Sequence, residues 1–258
     1  MKVHETAIVH PTAQLAEGVE IGPYSVIGEG VIIGEGTWIG PHVVVDRWSV
    51  IGRNCRIYQY ASIGTPPQHI KYKGEETYVI IGDNNVIREF VTINRGTSFG
   101  GGKTTVGDNN LLMAYAHVAH DCHLGNYVVM ANAAQLAGHV VVEDHAVLGG
   151  VVAVHQFVRI GKYAFIGGAT AVPKDIPPFV TASGMRAKLY GINVTNLRRN
   201  GFPEEVISAL RKAYRMIFRS HKPLKEALEA VKGDAVYSFP EVRYLVEFLQ
   251  DSKRGITR

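Results

Sequence analysis

The stretch that decides the fold is Ile21-Gly-Pro-Tyr-Ser-Val-Ile27-Gly-Glu-Gly-Val-Ile-Ile33-Gly-Glu-Gly-Thr-Trp-Ile39-Gly40, in which an aliphatic residue recurs every six positions. The same period runs from Val3 to Val172 with two gaps, and gives 25 hexads whose first residue is always aliphatic. Gly takes the second position in 11 of these hexads, and the fifth position is usually small or branched. A fixed period over this length indicates a repeat architecture.

A period of six predicts a parallel β-helix made of short strands. In each hexad the aliphatic residue points inward, and the next residue, often Gly, relieves crowding at the bend. Three hexads make one triangular coil, and stacked coils lie about 4.8 Å apart, the ordinary strand spacing. Each coil buries its aliphatic residues only against its neighbours. The usual rule for parallel crossovers predicts a right-handed connection.

Two segments interrupt the period. Residues 64–80 form a long loop, after which the repeat resumes, and residues 99–105, which are Phe-Gly-Gly-Gly-Lys-Thr-Thr, form a second. Loops that leave a rigid scaffold often carry function. The alternative is that both are tolerated insertions without a role.

Composition changes near residue 180, which predicts two domains. Residues 1–180 contain 43 Val plus Ile against 6 Leu, whereas residues 181–258 contain 10 against 7. β-Branched residues favour strands and Leu favours helices. We therefore predict a mainly β domain over 1–180, and a small C-terminal α-helical domain over 187–258. Three apolar segments with helical spacing, 206–217, 224–231 and 242–249, begin near prolines and acids, as helix starts do.

Charge and composition exclude several protein classes. Residues 181–258 carry a net charge of +7 and residues 1–180 a net charge of −3, so the tail favours an acidic partner. It lacks the interleaved aromatic residues of a nucleic-acid-binding surface. No apolar run is long enough for an integral membrane segment, and the N-terminus has no export signal. Two cysteines exclude a disulfide framework and a cysteine zinc site, so we expect a cytoplasmic protein.

The densest polar run is Ala116-His-Val-Ala-His-Asp-Cys-His123. A step of one coil, which is three hexads, leads from His120 to Gly138 and then to Gln156, so these three form a column on the outer wall. Three further histidines lie beside this column, namely His117, His139 and His155.

Three interpretations of this cluster compete. The first is a set of surface histidines without a role. The second is a metal site, because His is the commonest metal ligand and one branch of this fold is a zinc carbonic anhydrase. The third is a general base, because His titrates near neutral pH. In that case Asp121 would orient His120, and the Gly138 N–H would stabilise a developing oxyanion during acyl transfer.

Several motifs make the third interpretation specific. Ala116-His-Val-Ala-His-Asp-Cys122, Leu136-Ala-Gly-His139, Ala153-Val-His-Gln-Phe157, Lys71-Tyr-Lys-Gly-Glu75 and Arg254-Gly-Ile-Thr-Arg258 together resemble the UDP-N-acetylglucosamine O-acyltransferase family of hexapeptide-repeat proteins. The resemblance covers nearly the whole chain. It implies a left-handed parallel β-helix, a homotrimer with sites between neighbouring prisms, and the first committed step of lipid A synthesis.

The resemblance also implies roles for individual residues. His120 would remove the proton from the glucosamine 3-hydroxyl, Asp121 would hold His120, and the Gly138 N–H would bind the oxyanion. The substrate-binding residues would be Lys71, His69, Asn94, His117, His139, His155, Gln156, Asn193 and Arg199. Gly168 would set the acyl length together with Arg186. The donor would be a 3-hydroxyacyl chain on the phosphopantetheine of acyl carrier protein, an acidic partner, with no other cofactor and no metal.

Departures from the family pattern leave several functions open. Asn94 and His69 stand where many members have His and Asp, and Asn200 replaces a basic residue. The acceptor is therefore either UDP-N-acetylglucosamine or its 3-amino analogue. The later N-acyltransferase of the same pathway, an acetyl-CoA-dependent acetyltransferase and a non-catalytic scaffold for acyl carrier protein also stay open.

Overall fold

The computed structural model describes all 258 residues and contains a three-sided prism of short parallel strands. The first sheet contains eleven strands, which are, in spatial order, β1 (Lys2–Val3), β4 (Glu20–Ile21), β7 (Trp38–Ile39), β10 (Arg56–Ile57), β13 (Val86–Ile87), β16 (Leu111–Leu112), β19 (Val129–Met130), β22 (Val147–Leu148), β25 (Phe165–Ile166), β27 (Val180–Ser183) and β28 (Lys188–Ile192). The second sheet contains nine, which are β2 (Ile8–Val9), β5 (Val26–Ile27), β8 (Val44–Val45), β11 (Ser62–Thr65), β14 (Thr92–Asn94), β17 (His117–Val118), β20 (Gln135–Leu136), β23 (Ala153–Val154) and β26 (Ala171–Val172). The third sheet contains eight, which are β3 (Gln14–Leu15), β6 (Ile32–Ile33), β9 (Ser49–Ile51), β12 (Tyr78–Ile81), β15 (Lys103–Val106), β18 (His123–Leu124), β21 (Val141–Val142) and β24 (Arg159–Ile160).

The strand register follows the sequence period. Lys2 pairs with Glu20, and the same step of three hexads recurs up the prism. The step lengthens where loop 64–80 is inserted, so that Arg56 pairs with Val86. It lengthens again across loop 99–105, where Thr92 pairs with His117. Both loops therefore leave the prism while the sheets continue past them.

Both loops are shorter in the structure than the interruptions of the period. The strand before loop 64–80 extends to Thr65 and the strand after it begins at Tyr78, while β15 begins at Lys103 inside loop 99–105. These residues depart from the hexad pattern yet still pair with the neighbouring coils, because ladder hydrogen bonds need no particular side chain.

The inward aliphatic residues form the core of the prism. Ile27, Ile39 and Ile63 are at most 1% exposed, and 46 buried residues form one contiguous cluster. Full burial of such a side chain contributes about 1.5–3 kcal/mol relative to exposure. Since every coil after the first repeats this burial, the prism is a rigid support for whatever its outer wall carries.

The bend lies at a different hexad position from the one predicted. Gly22, in position two, does not have a left-handed φ, whereas Tyr24, in position four, has a φ of 58°. Gly is favoured at position two for another reason, because a Cβ on Gly22 would lie 2.7 Å from the carbonyl carbon of Gly40 in the next coil. The glycines therefore allow adjacent coils to stack closely, and the bend itself tolerates large side chains.

The chain ends in a helical layer. Its helices are α1 (Val194–Arg199), α2 (Glu204–Phe218), α3 (Leu224–Lys232) and α4 (Pro240–Asp251), with a 3-10 turn at Ala235–Ser238. The three predicted helices correspond to α2, α3 and α4, while the sequence pattern does not predict α1 or the 3-10 turn. Sheet structure continues to Ile192, where β28 pairs antiparallel with β27. The longest helix has 15 residues, and none could span a bilayer.

Both cysteines face the interior and are predicted to be unreactive. Burial raises the pKa of the Cys122 thiol to about 12 and also raises that of Cys55. A raised pKa lowers the thiolate fraction, and the thiolate is the nucleophile. We expect N-ethylmaleimide at pH 7.5 to label neither thiol in the folded protein and both in urea, as measured by mass spectrometry. Rapid labelling of the folded protein would contradict this assignment.

Candidate active site

His120 and Asp121 lie at a corner of the prism, between β17 and β18. His120 Nδ1 lies 2.8 Å from Asp121 Oδ2. A neutral imidazole that donates from Nδ1 to this carboxylate leaves its Nε2 free to accept a proton. The pair thus has the geometry of a general base and the group that orients it.

Three further hydrogen bonds fix Asp121. The Thr97 N–H donates to Oδ1 at 2.8 Å, the Thr97 hydroxyl donates to Oδ2 at 2.7 Å, and the Asp121 N–H donates to Thr104 Oγ1 at 2.8 Å. Burial raises the pKa of the Asp121 carboxyl, but the hydrogen bonds from His120 and Thr97 outweigh this effect and hold the pKa below its usual range. The carboxylate is therefore ionised at neutral pH.

Gly138 lies against the proton-accepting side of His120. A Cβ on Gly138 would lie 2.6 Å from His120 Cε1 and 2.8 Å from Nε2. The Gly138 N–H donates no hydrogen bond within the chain, although the neighbouring His139 N–H donates to the carbonyl of His120. A free backbone donor next to a base is the arrangement that acyl transfer requires for an oxyanion.

Histidine rings surround the pair. The rings of His69 and His139 each meet that of His120 edge to face, with centroids 5.2 Å apart. His139 Nε2 lies 3.8 Å from Asp121 Oδ2, yet burial lowers the pKa of His139. The sequence places His120 on the outer wall, but the residue is only 9% exposed, because His69 of loop 64–80, His139 and Gly138 all pack against its ring.

The same cluster is the only group in the structure with the geometry of a metal site. Nitrogen and oxygen atoms of His120, Asp121 and His139 lie within 4.8 Å of one another. However, Asp121 Oδ2 already accepts hydrogen bonds from His120 and Thr97. A cation at that oxygen would have to displace at least one of them, so the hydrogen-bonding pattern favours a base over a metal site.

An apolar groove of about 460 Å³ runs up the second sheet beside the cluster, and its lining includes Ala137, the residue before Gly138. His117 lies at its lower end, with Nδ1 2.7 Å from Thr92 Oγ1, and Arg186 lies at its upper end. Burial, and after it the neighbouring His120, lowers the pKa of His117. The floor of the groove is formed by Leu136, Ala137, Ala153, Val154, Ala171, Val172 and Pro173. Small apolar side chains on one sheet face make a channel suited to an alkyl chain.

His155 also lines this groove and connects it to the end of the chain. The Nη2 atom of Arg254 lies 2.8 Å from His155 Nδ1. The C-terminal motif that contains Arg254 therefore reaches the wall of the groove, which the hexad period does not predict.

Other predicted site residues lie apart from the cluster on the same chain. Asn193 and Arg199 line a pocket of about 380 Å³ on the first sheet, where Asn193 also caps α1 by accepting from the Asn196 N–H at 3.3 Å. Gly168 does not line the apolar groove, and a Cβ there would lie 3.2 Å from the carbonyl oxygen of Gly150.

Three more predicted residues differ in their accessibility. Lys71 and Gln156 are exposed. Asn94 is 3% exposed, and its Nδ2 lies 3.1 Å from Thr65 Oγ1 and 3.2 Å from the carbonyl oxygen of Pro66. Its amide therefore holds loop 64–80 at its start.

Sequence reasoning missed three residues around Asp121, which are Thr97, Thr104 and Gly100. Thr97 supplies two of its hydrogen bonds, and Gly100 packs so closely that a Cβ there would lie 2.1 Å from Asp121 Oδ2. All three belong to the segment around loop 99–105. The signal that could have found them is the Gly-Gly-Gly run in that loop, since a run of glycines allows a close backbone approach.

The pH dependence of stability tests the contact between Thr97 and Asp121. We expect Thr97→Val to lower the free energy of unfolding at pH 7 by about 1.5–3 kcal/mol, the contribution of one hydrogen bond to a charged group. Because the pKa of Asp121 is lowered in the folded state, this stabilisation is present above the pKa of the unfolded chain and is lost as the pH falls through the folded pKa. The difference in unfolding free energy between Thr97→Val and the natural protein, measured by urea unfolding, should therefore shrink below about pH 4.

Ser98→Ala is the matched control, because the exposed Ser98 hydroxyl lies 3.4 Å from Glu75 Oε1 and does not contact Asp121. A difference between Thr97→Val and the natural protein that stays constant down to pH 2 would contradict the assignment.

Comparison with known proteins identifies the family. A family model described as UDP N-acetylglucosamine O-acyltransferase, domain 2, matches residues 175–257, and one described as bacterial transferase hexapeptide (six repeats) matches residues 30–65 and 103–138. An acyl-[acyl-carrier-protein]–UDP-N-acetylglucosamine O-acyltransferase from Halorhodospira halophila is 53% identical over 257 residues, covering 100% of this chain and 99% of the relative. One from Myxococcus xanthus is 50% identical with the same coverage.

Comparison with solved structures points to the same family. A UDP-N-acetylglucosamine acyltransferase from Bacteroides fragilis superposes with a TM-score of 0.97 at 42% identity, covering 99% of each chain. The corresponding protein from Acinetobacter baumannii gives 0.96 at 44%, also covering 99% of each chain. The fold implied by the resemblance, a left-handed parallel β-helix with C-terminal helices, is confirmed, and the right-handed connection expected from the usual rule for parallel crossovers is wrong. On these grounds the chain is an acyltransferase and belongs to the acyl-[acyl-carrier-protein]–UDP-N-acetylglucosamine O-acyltransferase family.

Proposed function

We propose that this enzyme transfers a 3-hydroxyacyl chain from acyl carrier protein to the 3-hydroxyl of UDP-N-acetylglucosamine, the first step of lipid A synthesis. The observation that carries this proposal is the juxtaposition of His120, Asp121 and the free Gly138 N–H, next to an apolar groove whose lining includes Ala137, the residue before Gly138. Full-length relatives that carry the name of this activity support it.

The proposed reaction uses one base and one oxyanion donor. His120 Nε2 takes the proton of the sugar 3-hydroxyl while the oxygen attacks the thioester carbonyl carbon. The Gly138 N–H donates to the tetrahedral oxyanion, and Asp121 stabilises the imidazolium that forms. When the intermediate collapses, the C–S bond breaks and His120 returns the proton to the departing thiol of the carrier. The acyl group is now joined to the sugar 3-oxygen as an ester, and the enzyme is regenerated.

The apolar groove is the proposed site for the acyl chain. It begins beside His117 and ends at Arg186, so a chain attached at the base would extend upward over the alanines of the second sheet. Gly168, which is exposed near the upper coils, is the proposed length-setting residue. It would act on the chain from across a subunit boundary.

We further propose a homotrimer with a site shared between neighbouring chains. The histidine cluster and groove lie on the second sheet and its edge, whereas Asn193 and Arg199 line a pocket on the first sheet. One chain cannot present both pockets to one sugar nucleotide, but threefold rotation can bring the first sheet of one copy against the second sheet of the next. The chain that contributes the histidine cluster would contact the substrate through Lys71, His139, His155 and Gln156.

The charge of the helical region suits an acidic carrier. Acyl carrier protein is acidic, and the net charge of +7 on residues 181–258 favours its approach. The enzyme would act in the cytoplasm, where its two buried thiols stay reduced. It would need no metal or cofactor of its own, because the acyl group arrives already activated as a thioester.

A direct assay tests the activity. The protein is incubated with 3-hydroxymyristoyl-acyl carrier protein and either UDP-N-acetylglucosamine or its 3-amino analogue, and products are identified by mass spectrometry. We expect an ester with the hydroxyl acceptor, and light scattering should give three times the chain mass of 28.2 kDa. No product at several chain lengths, or product only with the amino acceptor, would overturn the proposal.

A further inference from the structure

Loop 64–80 is fastened to the prism by a buried guanidinium. Arg95 follows β14 and is 1% exposed, which makes it the largest fully buried side chain of the molecule. Its Nη1 donates to the carbonyl of Gly64 at 2.7 Å, and its Nε donates to the hydroxyl of Tyr72 at 2.9 Å. The same Tyr72 hydroxyl donates to the carbonyl of Glu75 at 2.7 Å. One side chain therefore holds the loop at its start and in its middle.

The charge of Arg95 is balanced within the same region. Its Nη1 lies 3.2 Å from Asp46 Oδ2, and its guanidinium lies 5.0 Å from the centre of the Trp48 ring and 5.7 Å from that of Tyr72. Its Nη2 has no hydrogen-bond partner. A buried cation is costly to the fold, and removing its partners is more costly still. A buried arginine here therefore requires the loop that covers it, and the loop requires the arginine.

The fastened loop reaches the proposed base. His69 lies between the Arg95 contacts at Gly64 and Tyr72, and its ring meets that of His120 with centroids 5.2 Å apart. Phe99 also contacts His69, with ring centroids 4.9 Å apart. If the loop were released, His120 would lose the His69 ring, which is one of the groups that pack against it and leave it only 9% exposed.

We infer that Arg95 is a positioning residue of this enzyme, because it holds loop 64–80 so that His69 closes over the proposed base and Lys71 faces the sugar nucleotide. This role rests on the proposed function of His120. A buried residue of the prism, Arg95, would thus set the geometry of loop 64–80 outside it. Arg95 itself touches no substrate.

Limited proteolysis tests the fastening without reference to activity. Lys71 and Lys73 are exposed in the loop, and trypsin cleaves such bonds when the backbone opens locally. We expect Arg95→Met to accelerate cleavage after these lysines at least tenfold. We expect Tyr72→Phe to accelerate cleavage about tenfold, because it keeps the Arg95 charge but removes both hydrogen bonds of the Tyr72 hydroxyl, the one accepted from Arg95 and the one donated to Glu75. Fragments are identified by mass.

The matched control is Tyr58→Phe, because the Tyr58 ring packs near Arg88 and Trp38 in the prism wall and its hydroxyl makes no hydrogen bond. It should be cleaved at the natural rate. If Arg95→Met does not fold, as judged by circular dichroism, Tyr72→Phe decides the question. Unchanged cleavage in Tyr72→Phe would overturn the inference.

Kinetics then separate loop positioning from general damage. We expect Tyr72→Phe to raise the KM for UDP-N-acetylglucosamine several-fold while the KM for the acyl carrier substrate and the melting temperature stay close to those of Tyr58→Phe. A faster cleavage rate with both KM values unchanged would overturn the positioning role. Such a result would leave the proposed base untouched, because that proposal depends on the separate effect of replacing His120.

Discussion

His120→Ala should lower kcat by about 10²–10⁴-fold, the range that a positioned general acid or base contributes. The reason lies in the 2.8 Å hydrogen bond from Nδ1 to Asp121, which directs Nε2 toward the substrate side and stabilises the imidazolium. Alanine removes the base without introducing a clash. The KM for UDP-N-acetylglucosamine should change far less than kcat, because the base acts mainly on the transition state.

Steady-state rates with 3-hydroxymyristoyl-acyl carrier protein measure this effect. His10→Ala is the control, since His10 lies in the first coil, its side chain bonds only to Thr12, and it is remote from the cluster. Its kcat should equal that of the natural enzyme. A His120→Ala enzyme that keeps more than a tenth of the natural kcat would rule out His120 as the base. The search for the base would then turn to His139, the next imidazole in the cluster.

The repeat period explains why much of the site could be predicted from the sequence. Stacked coils place each residue above the one three hexads earlier, so His120 and Gly138 meet without any further information. The same rule fails where the two loops lengthen the step between paired strands. Thr97, Gly100 and Arg95 all lie in or beside those irregular steps, and for this reason their contacts could not be predicted.

Side chains that act through loops are the hardest to assign from sequence. The resemblance assigns Asn94 to substrate binding, yet its amide holds the loop backbone. The contact between His69 and His120 depends on how loop 64–80 folds back, which hydrophobic periodicity does not encode. Only the resemblance assigns Asn193 and Arg199 to the same site as the histidine cluster. Within one chain they lie on a different face of the prism, the first sheet.

Gly138→Ala should be nearly as damaging as loss of the base itself. The added Cβ would lie 2.6 Å from His120 Cε1 and 2.8 Å from Nε2, which is closer than real Cβ contacts allow. The imidazole cannot retreat freely, because Asp121 holds its Nδ1 and the rings of His69 and His139 flank it. Either the base or the Gly138 N–H must move, so we expect kcat to fall about 10²–10³-fold, as for the loss of an oxyanion donor.

Two further variants test whether this collision is the cause. Gly233→Ala is the control, since Gly233 has a φ of −81° and its Cβ would meet nothing closer than 3.7 Å, so its kcat should be unchanged. In the His120→Ala background the colliding ring is absent, so neither the base nor the Gly138 N–H is displaced. The double variant should therefore be no slower than His120→Ala alone. A double variant at least tenfold slower than His120→Ala would show that the added methyl group acts by another route. Full activity of the single Gly138→Ala enzyme would contradict the assignment, because the base would then not be packed against this glycine.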